Sequence, residues 1–123
     1  KMVALNQNSF ETLVEQDGIL LVKCGASWCG SCREFSSIYK KIANLHPEHR
    51  FTTLDTEEEE ELSRHLGIEH LPTLMVYRDG VLLFHQPGQF SEEKLEDVLR
   101  QAQALDMEEV RRHIRESSDQ TKN

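Results

Sequence analysis

The segment Trp28-Cys29-Gly30-Ser31-Cys32 places two cysteines three residues apart, shortly after an uninterrupted aliphatic run at residues 19–22. Such a run is typical of a strand buried on both faces, and apolar residues at helical spacing begin after Cys32. The thiolate is the reactive form of cysteine, and the N-terminal end of a helix stabilises it. The segment therefore predicts thiol–disulfide exchange chemistry at a strand-to-helix junction.

The length and composition of the chain argue against several classes of protein. With 123 residues it is the size of one ordinary domain, and its net charge of −8 argues against a nucleic-acid partner, which would need clustered Lys and Arg. No run approaches the roughly 20 apolar residues that span a membrane. Three cysteines are too few for a disulfide-stapled secreted scaffold. We expect a cytoplasmic monomer, or a periplasmic or otherwise exported one if a presequence has been removed.

Apolar spacing and turn residues predict the element order β-α-β-α-β-α-β-β-α, an α/β arrangement in which helices flank both faces of a mixed sheet. Strands are predicted at residues 2–5, 19–22, 51–55, 73–77 and 81–85. Side chains that can cap a helix mark the helix starts: Asn8 and Ser9 for the first helix, Thr56 with Glu59 as a capping box for the third, and Ser91 for the fourth.

The residues after 105 form a separate prediction. We assign residues 1–105 to one domain and 106–123 to a C-terminal extension that is helical or partly disordered. Asp106 and Glu109 are positioned to cap a further helix, although the same residues could also continue the preceding one. Residues 117–123 are polar, and we expect them to fray.

Three features together give the chain a family resemblance. The first is the segment at residues 28–32 between a buried strand and a helix, and the second is Leu71-Pro72-Thr73 at the start of a strand. The third is the hairpin signal Asp79-Gly80, with Gly88 after it. On these features the chain resembles the thioredoxin family over residues 2–105. The resemblance implies the thioredoxin fold with an extra C-terminal helical segment, and a cis-proline at Pro72 that faces the cysteines.

The resemblance also implies a dithiol mechanism without a cofactor. Cys29, exposed at the mouth of the helix, would attack a substrate disulfide, and the less exposed Cys32 would resolve the mixed disulfide. The expected activity is the reduction of disulfide-containing proteins, followed by recycling through a reductase or a membrane donor. The alternatives are an oxidase or isomerase in an oxidising compartment, and a binding module that contacts clients through Tyr77, Phe84 or the C-terminal helix.

Substrate contacts are expected around the cysteines and around the proline loop. Trp28 would shield the site, and the backbone at Leu71 would pair with an extended substrate segment. His70 is either an ordinary surface histidine or a group that tunes Cys29. The full set of expected substrate-binding residues is Trp28, Gly30, Ser31, His70, Leu71, Pro72, Thr73 and Gly88.

A zinc site is the competing interpretation of the two cysteines. His65, His70 or His85 could in principle complete it. Four ligands are usual and the chain has no second Cys-x-x-Cys, so the redox interpretation is preferred and no metal is expected.

Two departures from the family pattern bear most directly on the cysteine pair. Ser31 stands where most thioredoxins have proline, and its hydroxyl near the sulfurs predicts a less reducing potential. Lys23 replaces a buried aspartate six residues before the first cysteine, and the lysine partner of that aspartate falls at Thr53. Lys23 either extends out to solvent at the end of its strand or lies under Cys32, where it would modulate proton transfer.

Overall fold

The computed structural model describes the backbone of residues 2–121 and the side chains of residues 2–118. Its elements follow the predicted order, and a fifth helix comes after them. The strands are β1 (Val3–Ala4), β2 (Ile19–Gly25), β3 (Arg50–Asp55), β4 (Thr73–Arg78) and β5 (Val81–Pro87). The helices are α1 (Phe10–Glu15), α2 (Gly30–Leu45), α3 (Glu60–His65), α4 (Glu92–Ala104) and α5 (Met107–Thr121).

The five strands form one mixed sheet in the order β1-β3-β2-β4-β5. Strands β1, β3 and β2 run parallel, whereas β4 is antiparallel to β2 and β5 is antiparallel to β4. The central strand β2 is buried at every position except Lys23, which is half-buried. The expected mixed sheet and α/β class are therefore confirmed. No helix within residues 2–121 has the length and apolar character needed to cross a membrane.

Alternate residues of β2 face two separate hydrophobic cores, because successive side chains of a strand point to opposite faces. Ile19 and Leu21 pack with α2 and α4, and Leu20, Val22 and Cys24 pack on the opposite face. The first core also contains Phe35, Tyr39 and Ile42 from α2, and Leu95, Val98, Leu99 and Ala102 from α4. The second contains Val14 from α1 and Leu62 from α3.

The binding-module alternative offered Tyr77, Phe84 or the C-terminal helix as the client surface, and neither Tyr77 nor Phe84 is exposed. Tyr77 is buried in the second core, where its ring meets Phe10 edge-on. Phe84 is half-buried and packs against the first core, with its ring centroid 5.7 Å from that of Phe90. Both aromatic rings therefore contribute to folding rather than to a client surface.

Two helix starts differ from their predicted caps. Helix α3 begins at Glu60, not at the Thr56–Glu59 capping box, because the Asp55 carboxylate takes the amides of residues 57 and 58 at 2.8 and 3.3 Å. Short polar side chains at a strand end compete with helix caps in this way. Ser9 occupies the N-cap of α1 without a capping hydrogen bond. The predicted Ser91 cap of α4 is confirmed, since its hydroxyl accepts the amide of Lys94 at 3.1 Å.

The C-terminal extension is a separate helix that packs on the domain. The Asp106 carboxylate accepts the amides of residues 108 and 109, so α5 starts anew instead of continuing α4. Met107 is buried, and the guanidinium of Arg111 donates to the carbonyl of Asp79 at 2.9 Å. Helix α5 continues through Thr121, beyond the start of the segment expected to fray, and residues 122 and 123 lie outside the described part of the chain.

The end of α4 is held by one side chain from the sheet. Arg78, the last residue of β4, donates from its Nη1 atom to the carbonyls of Ala102, Gln103 and Leu105 at 2.7, 3.1 and 2.9 Å. The last carbonyls of a helix have no partner within the helix, so this guanidinium supplies the missing donor.

Replacing Arg78 should therefore destabilise the fold. We expect Arg78→Ala to lower the free energy of unfolding in urea by about 2 kcal/mol, because hydrogen bonds to charged groups contribute about 1.5–3 kcal/mol. Arg78→Lys should restore only part of the loss, since an ammonium lacks the planar fork of a guanidinium. Arg100→Ala is the control, because Arg100 pairs with Asp97 on the surface. Equal losses for Arg78→Ala and Arg100→Ala would contradict this account.

Candidate active site

The two cysteines of the quoted segment are joined at the start of α2. Cys29 and Cys32 form a disulfide with their Cα atoms 5.2 Å apart, which is within the usual range. Cys29 is the N-cap of α2, and its sulfur accepts the amide of Cys32 at 3.1 Å. The same amide would stabilise a thiolate at Cys29 once the disulfide is opened, because a charged acceptor makes the stronger bond.

The expected exposure of Cys29 was wrong for this disulfide state. Cys29 is 6% exposed and Cys32 is 5% exposed, so the two residues are equally buried. Each sulfur is covered in part by the other, and the helix amide covers a further part of the Cys29 sulfur. Trp28, by contrast, is 67% exposed. The disulfide therefore presents little surface, whereas the indole that precedes it is largely exposed.

The remaining residues of the segment differ in their relation to the sulfurs. The Ser31 hydroxyl lies 3.4 Å from the Cys29 sulfur, as the sequence predicted for a hydroxyl at this position. Gly30 is exposed, and a side chain there would meet only Arg33 among non-neighbouring groups within 4 Å. Ser31 is therefore the residue of this pair that acts on the electrostatics of the site.

The proline loop reaches the same end of the sheet as the disulfide. Thr73, the first residue of β4, pairs with Cys24 near the end of β2, so β4 begins where β2 leads into the active-site segment. The Leu71–Pro72 peptide bond is cis, as the family resemblance implied. The carbonyl of Pro72 accepts the amide of Gly88 at 2.8 Å. Gly88 has a φ of +120°, a conformation that favours glycine.

The two other residues predicted in this loop have different surroundings. The side chain of Leu71 is half-buried and packs against the second core. His70 is exposed, and its carbonyl accepts the hydroxyl of Thr73 at 2.6 Å. The contact that ties His70 to the loop is therefore made by its backbone, and the tuning role of its imidazole stays a prediction.

Lys23 and Cys32 line one cavity of about 270 Å³ on the α2 side of the sheet. The ammonium of Lys23 lies 5.9 Å from the centre of the Tyr39 ring. Burial lowers the pKa of Lys23 below its usual value, and the positive charge of Lys40 lowers it further, while Cys24 acts in the opposite direction. Lys23 therefore lies on the cavity of the resolving thiol with a lowered pKa, and its role in proton transfer stays a prediction.

Two neighbours of Cys32 complete this cavity. A Cβ atom on Gly25 would lie 3.3 Å from the Cys32 sulfur, so glycine gives the thiol its space. Asp55 also lines the cavity and pairs with Gly25 across β2 and β3. Sequence reasoning missed Asp55, although an acid at the end of a strand parallel to β2 is a signal that could have found it.

Cys24 takes no part in the exchange chemistry. It is fully buried on the opposite face of β2, and burial raises the pKa of its thiol to about 12. A thiol that stays protonated in an apolar core is not nucleophilic. Cys24 is therefore an inert residue of the core.

The comparisons with known proteins agree with this geometry. The family model for thioredoxin matches residues 1–101. A protein of Streptomyces coelicolor that carries the name thioredoxin 2 is 40% identical over 118 residues, which cover 96% of this chain and 88% of the relative. The chain belongs to the thioredoxin family.

Two further thioredoxins extend the comparison. The thioredoxin of Alicyclobacillus acidocaldarius is 29% identical over 103 residues, covering 80% of this chain and 98% of the relative. The oxidised form of mitochondrial thioredoxin 3 from Saccharomyces cerevisiae superposes with a TM-score of 0.75 at 25% identity, covering 81% of this chain and 94% of that one. With its joined cysteine pair, the protein is a thiol–disulfide oxidoreductase with the protein-disulfide reductase activity of its family.

Because Lys23 and Cys32 line the same cavity, the effect of Lys23 on the resolving thiol can be tested. In Lys23→Met, the resolution of a mixed disulfide by Cys32 should slow at neutral pH, and its pH–rate profile should move up by about 1 pH unit, because a nearby positive charge favours the thiolate. Rapid mixing with a mixed-disulfide substrate across the range of cysteine ionisation measures this. Lys41→Met is the matched control, because Lys41 is an exposed lysine paired with Glu92. A profile identical to that of the wild type would leave Lys23 without a role.

Proposed function

We propose that the protein reduces disulfides in other proteins by a two-step exchange in which Cys29 is the nucleophile and Cys32 is the resolving thiol. The observation that carries the proposal is the position of the Cys29 sulfur at the N-cap of α2, 3.1 Å from the Cys32 amide and bonded to the Cys32 sulfur. The closed pair is the product of one catalytic cycle, so both sulfurs already have the geometry that the second step requires.

The two steps transfer two electrons to the substrate. The Cys29 thiolate attacks one sulfur of the substrate disulfide, which forms a mixed disulfide and releases the first substrate thiolate. Cys32 then loses its proton, and its thiolate attacks the Cys29 sulfur. This closes the Cys29–Cys32 bond and releases the second substrate thiolate. Lys23, on the Cys32 cavity, is the candidate to favour or accept that proton.

The substrate surface is proposed to consist of the active-site segment and the proline loop. Trp28 offers an exposed aromatic face next to the sulfurs. The backbone at Leu71, directly before the cis bond to Pro72, is the group that would pair with an extended substrate segment. Thr73 and Gly88 support that loop through hydrogen bonds to its backbone, which assigns them a positioning role.

We infer a cytoplasmic location and a monomeric enzyme. One chain carries both thiols, so the exchange needs no second copy. An unpaired thiol at Cys24 and a reductase activity fit a compartment that keeps thiols reduced. Each cycle leaves a closed Cys29–Cys32 disulfide, so we propose that a separate reductase or a membrane electron donor reopens it.

Ser31 favours a second candidate role, that of an oxidase or isomerase. Its hydroxyl lies 3.4 Å from the Cys29 sulfur and can donate to a thiolate there. A better-solvated thiolate stabilises the reduced enzyme and so makes the disulfide form more oxidising. A measured redox potential would therefore distinguish a reductase from an oxidase or isomerase.

Insulin reduction tests the nucleophile. Cys29→Ser should abolish the reduction of insulin, and Cys32→Ser should accumulate a mixed disulfide that mass spectrometry detects, because the nucleophile remains without its resolving partner. Cys24→Ala serves as the control, since it removes a thiol outside the exchange pair. Undiminished insulin reduction in Cys29→Ser would refute the proposed roles.

Equilibration with defined ratios of reduced to oxidised glutathione tests whether the protein acts as a reductase or as an oxidase. We expect the potential of the wild type to lie above the value of about −270 mV that is typical of thioredoxin. Ser31→Ala should lower it by about 30 mV, which corresponds to about 1.4 kcal/mol and to the loss of one hydrogen bond to a charged sulfur. Ser27→Ala is the matched control, because the Ser27 hydroxyl bonds to Glu57 rather than to a sulfur. A wild-type potential at the thioredoxin value, unchanged in Ser31→Ala, would exclude this effect.

A further inference from the structure

A cluster of metal-binding side chains follows the end of α2. His46, Glu48 and His49 each offer one ligand atom, and these atoms lie within 4.8 Å of one another. His46 is the C-cap of α2, and the amide of His49 donates to the carbonyl of His46 at 3.1 Å, which closes a turn. The turn brings three side chains from four consecutive positions to one place, and the exchange mechanism uses none of them.

The spacing of the ligand atoms suits one small divalent cation. The Glu48 Oε2 atom lies 3.3 Å from His46 Nδ1 and 3.7 Å from His49 Nε2. A tetrahedral zinc ion holds nitrogen and oxygen ligands at about 2.0–2.2 Å, which keeps those ligands about 3.3 Å from one another. An ion could therefore be bound with only small movements of the three side chains.

Helix α4 supplies one group that would orient a ligand and one that contacts a ligand atom. The other ring nitrogen of His46, Nε2, lies 2.6 Å from Glu96 Oε1. A carboxylate on the far nitrogen of a histidine is the usual support for a metal-bound imidazole, because it fixes the tautomer and leaves the near nitrogen free. The Gln103 amide nitrogen lies 3.2 Å from His49 Nε2. An amide nitrogen can only donate, so His49 Nε2 carries a lone pair, and the Gln103 side chain would turn away when that lone pair binds an ion.

The charges around the cluster also favour a cation. Glu48 and Glu96 place two carboxylates against the His46 ring. With neutral histidines, a divalent ion would balance both charges. Glu48 is 55% exposed at its side chain, so the cluster opens to solvent on that side and leaves a fourth position for water.

We propose that His46 Nδ1, Glu48 Oε2 and His49 Nε2 form a binding site for one zinc ion, with Glu96 as the outer carboxylate. All three ligands come from the turn that ends α2, and α4 contributes the outer carboxylate through its contact with His46. Helix α2 has 16 residues, so the cluster lies about 24 Å from the redox pair along its axis. The site is therefore independent of Cys29 and Cys32 and of the proposed function.

The test measures zinc binding with Cys29 and Cys32 removed as ligands. The full chain is oxidised to close the Cys29–Cys32 bond, treated with a chelator, and titrated with zinc by calorimetry. We expect one ion per chain. Cobalt, bound in place of zinc, should give the intense visible absorption of a tetrahedral site.

The variants separate ligands from their surroundings. Glu48→Gln and His49→Ala should each weaken zinc binding at least tenfold, and Glu96→Gln should weaken it about tenfold, as outer carboxylates typically do. Glu48 is exposed, so we expect Glu48→Gln to fold normally. This variant therefore tests the proposal even if His49→Ala does not fold. His85→Ala is the matched control, because it removes an imidazole on β5.

The proposal would be overturned by zinc affinity that is the same in the wild type and in Glu48→Gln, since the cluster would then be an ion-pair network alone. It would also be overturned by an octahedral cobalt spectrum with several weakly bound ions per chain, or by an equal loss of binding in His85→Ala.

Discussion

The hydrogen bond from the Cys32 amide to the Cys29 sulfur joins the folding of α2 to its chemistry. Helices are usually capped by an oxygen of Ser, Thr, Asp or Asn, and here a sulfur takes that place. The group that satisfies the first turn is therefore the group that reacts. This arrangement requires α2 to be fixed relative to the sheet. Phe35 and Tyr39 provide that constraint, because both are completely buried against the sheet.

Because α2 packs on one face of the sheet, the register of β2 determines which of its side chains lie next to Cys32. Odd-numbered residues of β2 face α2, so Lys23 and Gly25 lie on the side of Cys32, while Cys24 faces the opposite core. A slip of one residue would exchange these sides and place the inert thiol under the active site. Gly25 shows how tight the arrangement is, since even a methyl group there would press on the Cys32 sulfur. Strand β2 thus buries Cys24 in the opposite core and, through Gly25, leaves room for the sulfur of Cys32.

Local signals in the sequence predicted the element order, the hairpin and the Ser91 cap, because each depends on a few neighbouring residues. The Thr56 capping box failed, since Asp55 competes for the same amides. The burial of Cys29 depends on bonding between sulfurs, which spacing does not reveal. Asp55 joins the Cys32 cavity only through strand pairing. The histidine cluster was missed because the carboxylate that supports it, at Glu96, comes from α4, 50 residues away from His46 in sequence.

The two ends of the sheet have different roles, since one holds the active site and the other anchors helix α5. Residues Gly25 and Thr73 lie at the end that holds the sulfurs and the proline loop, and Asp79 lies at the other end, beyond the last residue of β4. Asp79 accepts the Gly18 amide at 2.7 Å through its carboxylate and Arg111 at 2.9 Å through its carbonyl, so one turn fastens the start of β2 and helix α5 together. The additional helix is therefore anchored away from the disulfide. An extension attached in this way can stabilise the domain and still leave the approach to Cys29 open, because the contacts that hold it are made where no substrate needs to bind.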